Sequence, residues 1–189
     1  RRFYADAALH EPILAAVYRH ADWRALDAGT LDEALALERM AARTGRPLQE
    51  MRALMQATRD SLQPIAASWR LVRALHARGV PLFVLSNMPE RTFEVLARRI
   101  DGWSMFRGLL ISGREGLLKP EPAIFERLLT RHGLRAEHCV FIDDMAENVA
   151  AARDCGLQAI RFVDPAQCAR ELAAITGWTW HDAEWTDPT

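Results

Sequence analysis

The chain of 189 residues is half apolar and nearly neutral, with 24 Lys and Arg against 25 Asp and Glu for a formal charge of -1. That length suits one domain, or a core with a small accessory lobe, and the apolar content is enough for a proper core. Neither sign of charge runs in a long block, which excludes an electrostatic footprint for nucleic acid or an acidic membrane, and no apolar stretch approaches the roughly 20 residues of a membrane span. A small-molecule partner is the expectation that remains.

The chain opens on Arg1-Arg2-Phe3-Tyr4, with no initiator Met and no strand-like run before the first helical pattern, and so reads as trimmed at its amino end. From Asp6 to Gln63 apolar residues recur at helical spacing: Ile13, Leu14, Val17 and Tyr18, then Leu31, Leu35, Leu37 and Met40, then Leu48, Met51, Leu54 and Met55. Three or four helices and no strand are predicted there. Breaks fall at Asp27-Ala28-Gly29-Thr30 and Thr44-Gly45-Arg46-Pro47, and Thr30 with Glu33 has the form of a capping box. His20, Asp22, Trp23 and Arg24 cluster at one of the turns, where packing at the surface accounts for them as well as contact with a substrate does.

After Pro64 helical stretches alternate with short β-like runs, the pattern of βαβ units around a parallel sheet. Strands are predicted over Val80–Leu85, Leu109–Ser112, Val140–Ile142 and Ala159–Val163. Helices are predicted over Ile65–Ala77, Pro89–Arg99, Glu121–His132, Ala146–Cys155 and Ala166–Ile175. The fold expected is α/β, a doubly wound, Rossmann-like parallel sheet core over residues 65–176 preceded by a small all-helical cap over 1–64. A tail over 177–189 carries Trp178, Trp180 and Trp185, expected to pack on the body or on another subunit. Cys139, Cys155 and Cys168 lack a CxxC spacing and read as reduced, small apolar residues of a cytoplasmic protein.

In such a sheet the carboxyl ends of the strands share one edge, and ligands bind there. Three groups stand at or near that edge. Ser86-Asn87 follows the run Val80–Leu85 directly, and a hydroxyl with free backbone N–H groups at a helix start can hold phosphate oxygens. The competing reading makes Asn87 an N-cap, with Glu90 three residues on. Lys119 lies in a loop fixed by Pro120 and Pro122, a point charge for phosphate or for a carboxylate. Asp143-Asp144 ends the run Val140-Phe141-Ile142. Capping by Asp144 with Glu147 would use one carboxylate, and the pair together suits Mg²⁺, which takes one or two carboxylates, several waters and a substrate phosphate.

The order and spacing of these groups resemble those of the haloacid dehalogenase-like hydrolases, over roughly Ile65–Ile175, with the preceding helices similar to that family's inserted cap. The resemblance implies that Ser86 and Asn87 bind phosphate, that Lys119 serves both binding and catalysis, and that Asp143 and Asp144 hold Mg²⁺, with Asp144 also catalytic and Asn148 a helper. It further implies an aspartate nucleophile at the end of a strand just before the cap, hence upstream of Arg1, since no match occurs in this chain. The function so implied is Mg²⁺-dependent hydrolysis of a small phosphorylated metabolite through an aspartyl phosphate, by a monomer or homodimer that binds neither nucleic acid nor membrane. A metal-independent 2-haloacid dehalogenase and a non-catalytic binding domain on the same scaffold are the alternatives, and the acidic pair favours the phosphatase.

Overall fold

The computed structural model describes residues 3–179. In chain order, α1 (His10–Ile13) continues through a π-helical stretch, Leu14–Tyr18, into α2 (Ala21–Asp27), α3 (Glu33–Thr44) and α4 (Leu48–Ser61). Then follow α5 (Ala66–Ala77), β1 (Leu82–Ser86), α6 (Glu90–Arg99), β2 (Phe106–Ile111), α7 (Ser112–Glu115) and α8 (Pro122–His132). The remaining elements are β3 (Val140–Asp143), α9 (Ala146–Asp154), β4 (Gln158–Arg161) and α10 (Pro165–Thr176). The α/β class expected from the sequence is the one observed, and no described helix is long and apolar enough to cross a membrane.

The chain divides into two compact units. The first takes the residues up to Gln63 and adds Ser86–Asp101 and Ile111–Gly116. Its core follows most of the predicted periodicity: Ile13 and Val17 bury against Leu37 and Met40 of α3 and Met51, Leu54 and Met55 of α4, joined by Leu26 and Ala36, which the pattern did not single out, while Leu35 of the predicted stripe is exposed. Fully burying a Leu or Met side chain is worth roughly 1.5–3 kcal/mol, so this stripe is what holds short helices that water alone would melt. Asp22 is buried beside Arg43 (2.9 Å), Arg39 (3.4 Å) and His20 (3.4 Å), which fastens α2 to α3. Burial raises its pKa, but hydrogen bonding and charge from Arg43, with His20 and Arg39, outweigh that and hold the carboxyl below its usual range. His20 and Asp22 are thus spent on structure, and Trp23 packs on Tyr18 with ring centroids 4.7 Å apart.

The expected capping box at Thr30 does not form. Asp32 is the N-cap of α3, accepting from the amides of Ala34 and Leu35, while the Thr30 hydroxyl donates to the Ala25 carbonyl. A carboxylate at the positive end of a helix outcompetes a hydroxyl that can close the preceding turn instead. Glu33 is then free to pair with Arg59, which is buried and also donates to the Thr92 hydroxyl at 3.3 Å. In this way α6 is held against α4.

The second unit takes Pro64–Leu85, Gly102–Leu110 and the residues from Leu117 onward. Its strands form two separate pairs: β1 with β2, and β3 with β4 in parallel, in the register Val140↔Gln158 to Asp143↔Arg161. Leu110, Ile124, Phe125, Leu128, Phe141 and Val149 build one core, and Leu71, Leu75, Ile160, Cys168 and Leu172 another. All three cysteines are free, and burial raises each thiol's pKa, so they are packing residues rather than thiolate nucleophiles. Trp178 packs on the second of these cores with the Arg78 guanidinium 5.9 Å from its ring centre, whereas Trp180 and Trp185 lie outside the described residues.

β2 has no room for a side chain at Gly108: a Cβ there would stand 2.3 Å from the imidazole of His132, whose ring centre lies 4.8 Å from that of Phe83. Gly108→Val is therefore expected to cost about 1–3 kcal/mol in a urea melt, and His132→Ala to recover part of the loss in the double variant. Equal losses with and without His132 would refute this packing.

Candidate functional site

Strand β3 ends at Asp143, and α9 begins three residues later at Ala146. The turn between them closes on the Asp143 carboxylate, whose Oδ1 accepts from the Met145 amide and from the Asn148 side chain, both at 2.9 Å. Asn148 is buried in the first turn of α9. The other oxygen, Oδ2, accepts from the Lys119 ammonium at 2.6 Å. Lys119 is itself only 8% exposed, and donates a second bond to the Leu85 carbonyl at 2.9 Å, with the Phe141 ring 5.5 Å below its nitrogen. A buried ammonium is costly unless a counterion and hydrogen bonds compensate it, and here both are present.

The loop that delivers Lys119 is anchored by buried Leu118 and followed by the proline-led start of α8 at Pro122. Its ammonium thus joins the carboxyl ends of β1 and β3, two strands that belong to different strand pairs. Asp144 behaves differently. Its side chain is exposed and in no ion pair among the described residues, and its carbonyl accepts from Arg161 at 3.4 Å. Nor does it cap α9, where Met145 is the N-cap and supplies no side-chain bond. Asp143, the last residue of β3, is thus bonded to the lysine, while Asp144, in the bend that follows, is exposed.

Among the described residues no group of three or more His, Cys, Asp and Glu side chains could hold a metal by itself. The donor set of Asp143 and Asp144 nonetheless fits a hard divalent cation that completes its shell with water and phosphate oxygens.

Ser86 and Asn87 close β1 and enter the turn to α6, both half-buried, and group with the helical unit. Pro89 is the N-cap of α6 and makes no side-chain bond, so Asn87 and Glu90 do not form the expected cap. The turn is held from the start of α7 instead. Ser112 is fully buried, accepts from the Met88 amide at 2.8 Å and donates to the Asp27 carbonyl at 2.5 Å, while the Gly113 amide donates to the Met88 carbonyl at 3.2 Å. Gly29 sits on Gly113 so closely that a Cβ would lie 2.2 Å from its carbonyl oxygen. Ser112, Gly113 and Gly29 carry no local pattern that marks them, because each matters through a partner far along the chain. Asp27, half-buried at the same place, has its carboxyl pushed up to about 6, as burial outweighs the Arg24 charge and a hydrogen bond from Trp23.

Residues 10–156 match the haloacid dehalogenase-like hydrolase family. The chain is 27% identical over 164 residues to the sesquiterpene phosphatase astK of Aspergillus oryzae, covering 87% of this chain and 84% of that protein. It is 28% identical to the drimenol cyclase drtB of Aspergillus calidoustus over 82% of this chain, but spans only 30% of that longer protein. Among solved structures, a predicted HAD-like family hydrolase from Porphyromonas gingivalis superposes with a TM-score of 0.71 at 22% identity, over 90% of this chain and 87% of that one. A HAD family enzyme from Bacteroides thetaiotaomicron in complex with magnesium and inorganic phosphate gives 0.65 at 17% identity, over 79% and 84%. An L-2-haloacid dehalogenase from Xanthobacter autotrophicus gives 0.64 at 20%, over 93% and 74%, so the fold by itself does not separate the two chemistries.

Two outcomes are expected from this geometry. In a denaturation cycle, Lys119→Met and Asp143→Leu should each lose about 3–5 kcal/mol by stranding the other charge, and the double variant should lose less than their sum. Strict additivity would show that the pair is not formed. Asp27 sets a pH dependence: the folded state keeps its proton to about pH 6, the unfolded chain only to about pH 3.9. The stabilisation from this group is therefore full below about pH 4 and lost as pH rises through about 6, and Asp27→Asn should flatten that slope and add up to ~2 kcal/mol at pH 7. An unchanged slope in the variant would rule out Asp27 as its source.

Proposed function

This chain belongs to the haloacid dehalogenase-like hydrolases, and on that premise we propose that it is a phosphatase acting on a small phosphate monoester. The observation that carries the reading is the division of labour at the end of β3, where Asp143 is fixed by Lys119, Met145 and Asn148 and Asp144 is left exposed. The curated phosphatase that matches over most of both chains supports it.

In this reading an aspartate on a strand preceding Arg1 attacks phosphorus, the bond to the ester oxygen breaks, and the departing alcohol takes a proton from water. A second water then attacks the aspartyl phosphate at phosphorus, releasing inorganic phosphate and restoring the carboxylate. A strand between β1 and β3 would satisfy the pairing edges that each leaves among the described residues, and would end beside Lys119. Asp143 and Asp144 would hold Mg²⁺, which supplies neutralising charge to the phosphoryl oxygens. Lys119 keeps Asp143 in place and adds positive charge where negative charge develops. Asn148 fixes the orientation of Asp143. The Ser86 hydroxyl and the donors of Asn87, at the start of α6, are assigned to phosphate oxygens from their position in the chain after β1. The free thiols suit a reducing, cytoplasmic compartment.

A metal-free dehalogenase on this scaffold has no use for the exposed second carboxylate of Asp144, and a non-catalytic domain has no use for a buried, hydrogen-bonded lysine at two strand ends. The full-length protein, with whatever precedes Arg1, is expected to release phosphate from p-nitrophenyl phosphate only with Mg²⁺, and to stop with EDTA. Asn148→Ala, which loosens a ligand from behind, should raise the Mg²⁺ concentration for half-maximal rate by roughly 10–100-fold. Halide release from 2-chloropropionate without metal, in place of phosphate release, would overturn the proposal.

A further inference from the structure

Ser112 is fully buried, and its hydroxyl is used twice. The Met88 amide can only donate, so the Ser112 oxygen accepts from it at 2.8 Å. The single hydroxyl proton then goes to a carbonyl, and the Asp27 carbonyl, at 2.5 Å, lies nearer than that of Met88, at 3.4 Å. Met88 is held at its carbonyl as well, by the Gly113 amide at 3.2 Å. Both backbone groups of the residue after Asn87 are thus fixed from α7.

The rest of α7 contacts the same stretch. A Cβ at Gly113 would stand 2.5 Å from the Glu90 amide nitrogen and 2.9 Å from the Met88 carbonyl oxygen, so no larger residue lets α7 come this close. Arg114 bonds Glu90 at 3.0 Å and lies over Phe93, 5.1 Å from the ring centre. All of these residues, with Asp27, Ser86 and Asn87, group in the helical unit.

A planar trans peptide has its N–H and C=O on opposite sides. With the Met88 N–H turned to Ser112, the Asn87 carbonyl is turned away from it, and the rotation of the Asn87–Met88 peptide is set. The same bond withdraws the Met88 amide from any ligand. Attaching α7 does not require it, because the Gly113 amide and Arg114 already join α7 to this turn. What the Ser112 bond adds is the orientation of the residue beside Ser86, which matters in a turn that has to aim donors at an anion.

We propose that Ser112 is a positioning residue for phosphate, setting through the Met88 amide the direction in which Ser86 and Asn87 present their donors. This rests on the phosphatase reading and on the assignment of Ser86 and Asn87 to phosphate oxygens. Two dependences then separate: binding of the phosphate group depends on Ser112, and binding of Mg²⁺ does not.

In the full-length protein with Mg²⁺, Ser112→Ala should raise KM for p-nitrophenyl phosphate and the inhibition constant of inorganic phosphate together by roughly 10–100-fold, the worth of one hydrogen bond to a charged group. The Mg²⁺ concentration for half-maximal rate should not move, the opposite of Asn148→Ala. Ser112→Cys keeps a weak S–H group and should fall between the parent and Ser112→Ala, and it carries the test if the alanine variant does not fold. Val17→Ala removes buried methyl groups from the helical seam, and should lower the melting temperature while leaving both constants alone. Unchanged constants in folded Ser112→Ala, a cysteine variant equal to the parent, equal rises in Val17→Ala, or a shifted Mg²⁺ requirement would each overturn the proposal, while phosphate release by the parent keeps the phosphatase reading. A parent that releases no phosphate overturns that reading, and the positioning role with it.

Discussion

A buried ammonium sits where two strands end, and most of what is distinctive here follows from its need for partners. Lys119 is removed from water, so its charge requires a carboxylate and a carbonyl within hydrogen-bond reach; Asp143 and Leu85 provide them. The same bond fixes the Asp143 carboxylate, whose other oxygen is held by the first turn of α9. One ion pair thereby sets the positions of a strand end, a loop and a helix start. Such pairs add little net stability against a well-packed apolar alternative, because desolvation cancels much of the attraction. What the pair does supply is a positive and a negative group rigidly placed at one strand edge.

The helical unit solves a separate problem with other means. Its helices are short, and their stability comes from one shared apolar seam and from buried ionic contacts, Asp22 with Arg43 and Arg59 with Glu33. Ser112 joins the end of α2 to the turn after β1 with a single hydroxyl that both donates and accepts. Close backbone approach at Gly29 and Gly113 leaves that junction no slack. A turn held this tightly leaves Ser86 and Asn87 little freedom to reorganise.

The alternation of helix and strand after Pro64, the helical seam before it and the placement of polar residues at strand ends were legible because each is a local pattern. Periodicity reports which face is buried, and a run of apolar residues broken by Ser-Asn or Asp-Asp reports where a strand stops. Caps were less legible. Thr30, Asn87 and Asp144 all fitted capping patterns, yet Asp32, Pro89 and Met145 occupy those positions, since several polar neighbours compete for the same few amides and the outcome turns on backbone geometry. Ser112 and Gly113 were invisible for a different reason: their partners, Asp27 and Met88, lie 85 and 24 residues from Ser112, and no window along the chain contains both ends of such a bond.

By itself the sequence determined the class of fold, the run of helices ahead of the first strand and the residue types available for chemistry, because these depend on spacing and composition within a few turns of chain. It named Lys119, Asp143 and Asp144 without assigning them different duties. Only the tertiary structure decided that Asp143 is the partner of Lys119 and that Asp144 is left exposed. Those facts are relations between segments far apart in the chain, set by which groups lose water together and must satisfy one another when they do.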